Sequence, residues 1–343
     1  MKNKKKYIFM FVFLILIVFL TLYSIFKNDS LSSILNDISR INKVYLIIFF
    51  LMTILYFTLQ GMYMKLTLKS LGNKITLKKG IFYSMIEFYF SGITPSATGG
   101  QPVQLYYMTK DKIPVRKSYI TLILNTIYFK VIVVILAIIA LVFKPQYIFN
   151  YNSIYRTFFI ISFLGNILLI ILCYMLMCKQ KYIKKILELL IKISTKLKIF
   201  EKKAKNFNID EFLDKYSGEL KYLKSNKKCI IQTFIITFIQ RTILFSIAYV
   251  VYRALGFNSY SYLDLLAIQV SVQLAAGVMP LPGGTVLSET TFKSIFTNIF
   301  GLEFADIGML LTRTFSFYIP LLICGLAILI NILINRQTTK TLN

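Results

Sequence analysis

Long, unbroken apolar runs dominate this chain. A helix that crosses a bilayer needs about 20 predominantly apolar residues. Six stretches have that length, approximately 7–26, 44–64, 118–143, 157–178, 229–252 and 309–335. Two more, 81–109 and 263–300, are interrupted midway by Pro and Gly. The pattern predicts an all-α polytopic membrane protein. It has about six spanning helices plus two Pro/Gly-broken re-entrant helical hairpins in an inverted-repeat arrangement. A kinked pair of short spans is the alternative for each broken stretch.

Only 179–228 has a different rhythm. Ile183, Ile186, Leu187, Leu190, Ile193, Leu197 and Phe200 recur at helical spacing, with Lys184, Lys185, Lys192, Lys196 and Lys198 between them. This predicts a basic amphipathic helix on the cytoplasmic membrane face. Phe212, Leu213, Tyr216, Leu220 and Leu223 predict a second, short helix. The whole chain, 1–343, reads as one integral-membrane domain with a membrane core over 7–335 and a cytoplasmic loop at 179–228.

Composition narrows the class. The 343 residues are 57% hydrophobic and 16% charged. That excludes disorder and argues against an ordinary soluble enzyme. The formal net charge of +26 would suit a nucleic-acid partner in a soluble chain. Apolar runs of span length redirect the charge to the membrane, and no nucleic acid is expected.

The basic residues are unevenly placed. Thirty of the 40 Lys and Arg lie in the N-terminal tail, 65–79, 110–117, 179–228 and the C-terminal tail. By the positive-inside rule these face the cytoplasm, and so do both termini. Segment 81–109 then starts and ends on the cytoplasmic side, and 263–300 on the outer side. Lys2 and Lys4 to Lys6 precede the run from Tyr7 to Phe26, as in a signal peptide. That run exceeds the usual apolar core of about 7–15 residues, and no small-residue cleavage site follows. It predicts a retained first span.

His and Trp are absent. The commonest general base and metal ligand is therefore missing. Cys173, Cys178, Cys229 and Cys324 form no C-x-x-C pair and read as small hydrophobes. No metal, cofactor or catalytic constellation is expected.

Two breaks could carry chemistry. The first runs from Ser91 to Pro102 and contains Thr94, Pro95, Thr98, Gly99, Gly100 and Gln101. Pro95 ends a helix. Gly99 and Gly100 admit close approach by backbone or ligand. Pro102 suits a helix start, whose free N–H groups favour an anion. The second break repeats this grammar, with Pro280 and Pro282 before Gly283 and Gly284, and Glu289 in the following half-helix. A merely structural turn remains the alternative at each.

Charges inside apolar runs are the other candidates. Glu87, Lys130, Arg241, Glu289, Lys293 and Arg313 all fall there. Such a charge costs at least about 2.5–3.5 kcal/mol, so it faces a cavity or a partner. Arg241 is central to its run, and its planar fork suits phosphate. Glu289 and Lys293 have the i, i+4 spacing of a simple helix pair. Lys130 and Arg313 are long enough to snorkel.

With these residues the chain resembles the lysylphosphatidylglycerol synthase transmembrane (flippase) family. Thr94-Pro95, Gly99-Gly100-Gln101-Pro102-Val103 and the basic 110–117 patch are similar to its first signature. Pro280-Leu281-Pro282-Gly283-Gly284 with Glu289 is similar to its second. The resemblance spans about 7–335. Where the family has Gly-Glu, this chain has Gly100-Gln101, so no carboxylate role carries over there.

The resemblance implies a bacterial cell-membrane lipid translocase. Its substrate would be an anionic or aminoacylated phospholipid such as lysyl-phosphatidylglycerol, linked to cationic antimicrobial peptide resistance. Bifunctional members add a soluble lysyltransferase. The last run here ends near residue 335, so the translocating half without that domain is expected, and a separate transferase partner stays open. So does a homo-oligomer. The substrate contacts expected are Arg241, Glu289, Lys293, Glu87, Arg313, Thr94, Thr98, Gly99, Gly100, Gln101, Gly283 and Gly284. A membrane transferase, phosphatidylglycerol lysyltransferase, is the rival reading; a scaffold using the 179–228 loop is a third.

Overall fold

The computed structural model describes residues 39, 41–94, 97–149, 153–196, 208–276, 297, 299–301, 304–305 and 307–340. The first apolar run, Gly283, Gly284, Glu289 and Lys293 lie outside the described residues.

The described elements are helical. They are α1 (Lys43–Ser70), α2 (Leu77–Ile93), α3 (Gly100–Lys110), α4 (Val115–Phe143), α5 (Gln146–Phe149), α6 (Ser153–Cys178), α7 (Gln180–Lys196), α8 (Ile209–Ser225), α9 (Lys227–Ala254) and α10 (Tyr262–Ala276), then a π turn at Thr314–Tyr318 and α11 (Ile319–Lys340). Five helices are long and apolar enough to cross a membrane: Lys43–Ser70, Val115–Phe143, Arg156–Cys178, Lys227–Ala254 and Ile307–Ile334. They coincide with five of the six runs read from the sequence. The protein is an all-α polytopic membrane protein.

Local chemistry sets the helix starts. The side chains of Asn42, Thr76, Asn208 and Asn226 accept backbone N–H bonds from Val44, Lys79, Glu211 and Cys229. Each satisfies one of the free donors at a helix N-terminus. The π turn precedes Pro320, which has no N–H to give the Ser316 carbonyl. The last span widens there, and Ile319 N–H bonds back to the Thr314 carbonyl.

Polar contacts separate the two ends of the bundle. One end ties Arg116 to Glu219 at 2.8 Å, Lys117 to Asn73 at 2.8 Å, Lys79 to Asp111 at 3.2 Å and Asn226 to Ser70 at 3.1 Å. These belong to the basic clusters of the sequence. At the other end Lys144 pairs with Asp264 at 2.7 Å.

Lipid tails are as apolar as Leu, so packing and interhelical hydrogen bonds hold such a bundle together. Tyr63 donates to the Thr121 carbonyl at 2.7 Å and Tyr128 to the Ile230 carbonyl at 3.1 Å. Where α1 meets α2, an added Cβ on Gly61 would stand 2.7 Å from the Ile81 nitrogen, so the two backbones touch. Around this core α6 is peripheral, with Ile160, Ile161, Leu164, Leu168 and Leu169 exposed. That is the face expected to meet lipid.

Candidate functional site

The first break forms a helical hairpin. α2 and α3 run antiparallel, with Phe82 edge-on to Tyr107 at 5.9 Å. Its open ends meet at Asp111, which pairs with Lys79 and accepts the Tyr83 hydroxyl at 2.6 Å. The segment therefore leaves and rejoins the same end of the bundle. At its tip, Thr94 donates to the Phe90 carbonyl and accepts the Gly99 N–H at 2.9 Å. Thr94 closes the turn. A Cβ on Gly100 would stand 2.5 Å from the Glu87 carbonyl, so only glycine lets the two limbs approach this closely.

Glu87 faces inward from α2 and accepts a hydrogen bond from Ser91 at 3.2 Å. It is close enough to feel the charge of Arg241 on α9. Arg241 is 9% exposed. One guanidinium N–H donates to the Tyr56 hydroxyl at 3.2 Å. Its carbon sits 4.2 Å from the centre of the Phe129 ring. Lys130 Nζ lies 5.3 Å from the same ring centre.

These residues share a level. Tyr56, Phe129 and Arg241 stand midway along Lys43–Ser70, Val115–Phe143 and Lys227–Ala254. At 1.5 Å per residue each is about 20 Å from either end of its helix. A core about 30 Å thick centred on these helices puts the guanidinium deep in the bilayer.

The bundle interior holds buried polar groups that are incompletely satisfied. Arg241 Nε, both amide atoms of Gln60, Gln104 and Gln240, and Asn125 Oδ1 are buried without a partner among the described residues. Such groups carry a desolvation cost of about 1–3 kcal/mol each unless water or a ligand meets them.

The sequence-read candidates are thus only partly brought together. Arg241 and Glu87 come within electrostatic reach, and Gly100 packs on the Glu87 backbone. Gln101 reaches α4, where its amide donates to Thr126. Thr98 is exposed at the tip. Arg313 is half-buried just before the π turn. There Phe315 stacks on Phe49 with ring centres 3.9 Å apart, about two turns of α1 away from Tyr56. Tyr56, Phe129, Gln60, Gln104 and Gln240 were missed. Mid-run amides were the available signal, since a Gln in hydrocarbon needs a partner as a charge does. Lys130 is not at an interface but beside the central ring.

Comparison with known proteins decides the lineage. The family model for the lysylphosphatidylglycerol synthase TM region matches residues 8–324. The chain belongs to this family. A UPF0104 membrane protein of Archaeoglobus fulgidus is 25% identical over 281 residues, covering 80% of this chain and 82% of that protein. UPF0104 membrane protein PH1989 of Pyrococcus horikoshii is 25% identical over 277 residues, covering 77% and 80%. No solved structure matches. The residues read from the sequence as its first motif, Thr94 and Gly99 to Val103, lie at the hairpin tip and the α3 start.

Proposed function

We propose that this family member translocates a phospholipid with an anionic or lysylated head group, such as lysyl-phosphatidylglycerol. The observation that carries the reading is Arg241 at mid-bundle with its Nε unpartnered among the described residues, and with Gln60 and Gln240, whose buried amides also lack a described partner, within about a turn of that level along their helices. A guanidinium held on a ring and one hydroxyl keeps donor capacity for a phosphate. Glu87 would contact a cationic part of the head group. The hairpin of α2 and α3 acts as a re-entrant element, its half-helix ends near the midplane, as in transporters with central sites. In the repeat expected from the sequence, α10 would be the first limb of an inverted counterpart over 263–300, most of whose remainder lies outside the described residues.

In this reading the basic end, with both termini, is cytoplasmic. α7 rests on that face, its lysines against anionic lipid. Exposing a lysylated lipid outside the cell would reduce the attraction of cationic peptides. The test is outer-leaflet exposure of labelled phosphatidylglycerol in proteoliposomes. Arg241→Ala and Glu87→Gln should each slow exposure at least tenfold. Unchanged rates in both, at equal protein content, would sink the assignment of these residues.

A further inference from the structure

A second polar place is lined by Phe129, the residue whose ring also carries Arg241. A cavity of about 220 Å³ opens between α4, α6 and α10. Its lining includes Lys130, Ser162, Gly165, Asn166 and Gln273, set among Val133, Ile161, Leu169 and Leu274. Ile161 and Leu169 are also 50% and 43% exposed on the outer face of α6. The mouth therefore lies on the surface that meets lipid.

We infer that this cavity binds the phosphate-bearing head group of a membrane phospholipid entering sideways past α6, with Lys130 as its cationic anchor. Four observations support this. Lys130 stands in the middle of α4, and among the described residues no carboxylate pairs with it. An unpaired ammonium at that depth is costly, and an anion is the partner that removes the cost. Ser162 and Gln273 add a hydroxyl and an amide to the same wall. The amide of Asn166 donates to the Ser162 carbonyl at 2.7 Å, which fixes this stretch of α6.

Volume selects the occupant. Pockets that enclose a whole drug-sized ligand measure about 300–1,000 Å³. This one is smaller and suits a head group whose acyl chains stay in the bilayer. Two cationic stations then flank one aromatic residue, Lys130 in this cavity and Arg241 4.2 Å from the same ring centre. This deepens the translocation reading and rests on it for the lipid class, but binding is measurable without transport.

The experiment uses the full chain in nanodiscs and a short-chain fluorescent phosphatidylglycerol, with the phosphatidylcholine analogue and inorganic phosphate as comparators. Lys130→Gln should weaken phosphatidylglycerol binding at least tenfold. Gly165→Leu fills the cavity, and an added Cβ at Gly165 meets nothing within 4 Å, so the variant should fold and lose binding to a similar extent. Wild-type affinity in both variants would overturn the proposal. Equal competition by inorganic phosphate and by lipid would overturn the lipid part. Cavity-dependent binding in a protein that moves no lipid would sustain this site and remove the translocation reading. Translocation with binding indifferent to both variants would do the reverse.

Discussion

The guanidinium of Arg241 is seated on the face of the Phe129 ring, 4.2 Å from its centre, halfway along two membrane-spanning helices. A desolvated cation–π contact contributes about 2 kcal/mol. Phe129→Leu keeps an apolar side chain and removes the ring face. It should lower stability by about 1–2 kcal/mol beyond the lost area, and Arg241→Gln should then cost less in its presence. Thermal unfolding of both single variants and the double variant gives the coupling. Strict additivity would show that the ring and the cation do not support each other.

Close approach at the hairpin makes a second prediction. The Gly100 Cα packs on the Glu87 carbonyl, where a methyl group would stand 2.5 Å away. Gly100→Ala must push α3 from α2, a strain of about 1–3 kcal/mol. Gly218 on α8 has nothing within 4 Å of an added Cβ. Gly218→Ala should raise stability by up to about 1 kcal/mol through helix propensity. Melting temperatures of the two variants should therefore move in opposite directions.

The spans and the first hairpin were legible because hydrocarbon enforces a length and Pro with Gly-Gly enforces a break. Helix ends were less so. α1 runs to Ser70, beyond the apolar run ending near Met64, because Lys65, Thr67, Leu68 and Lys69 continue a helix while leaving the bilayer. Arg241 announced itself as a charge in an apolar run. Tyr56 and Phe129 did not, because an aromatic residue there looks like ordinary packing. Their role comes from the antiparallel pairing of α1 with α9, which brings residue 56 to residue 241. Lys130 was ambiguous for a related reason: one helix does not say whether a long side chain points to a ring or to the interface.

Backbone strain at the hairpin tip gives a third prediction. Ala97 has φ of 55°, a left-handed conformation that costs an L-residue about 1–2 kcal/mol. It is held by its N–H to the Thr94 carbonyl at 3.2 Å. Glycine adopts this conformation freely but loses more entropy on folding, about 0.5–1 kcal/mol. Ala97→Gly should be neutral or slightly stabilising. Ala97→Val should be destabilising by at least about 1 kcal/mol, since β-branching makes positive φ harder. Reversal of that order in unfolding experiments would mean the tip does not keep this conformation in the membrane.

The last prediction concerns how α10 is anchored. Ser261 and Asp264 form a reciprocal cap, with Asp264 accepting the Ser261 N–H at 2.8 Å and Ser261 accepting the Asp264 N–H at 3.3 Å. Asp264 also pairs with Lys144 at 2.7 Å, and its side chain is only 10% exposed. Removing Asp264 deletes the cap and leaves the Lys144 ammonium without this partner. Removing Lys144 leaves Asp264 still bonded to Ser261. Asp264→Ala should therefore cost about 2–4 kcal/mol and Lys144→Gln about 1–2 kcal/mol. Because the pair is shielded, added salt should change these values little. Gln273 lies nine residues along α10, about 13 Å from this anchor, in the wall of the Lys130 cavity. Loosening the cap should shift that wall, so Asp264→Ala should also weaken phosphatidylglycerol binding, whereas Ser261→Ala, which keeps the ion pair, should weaken it less. Unfolding and binding measured on the same preparations of the three variants test both halves of this ordering.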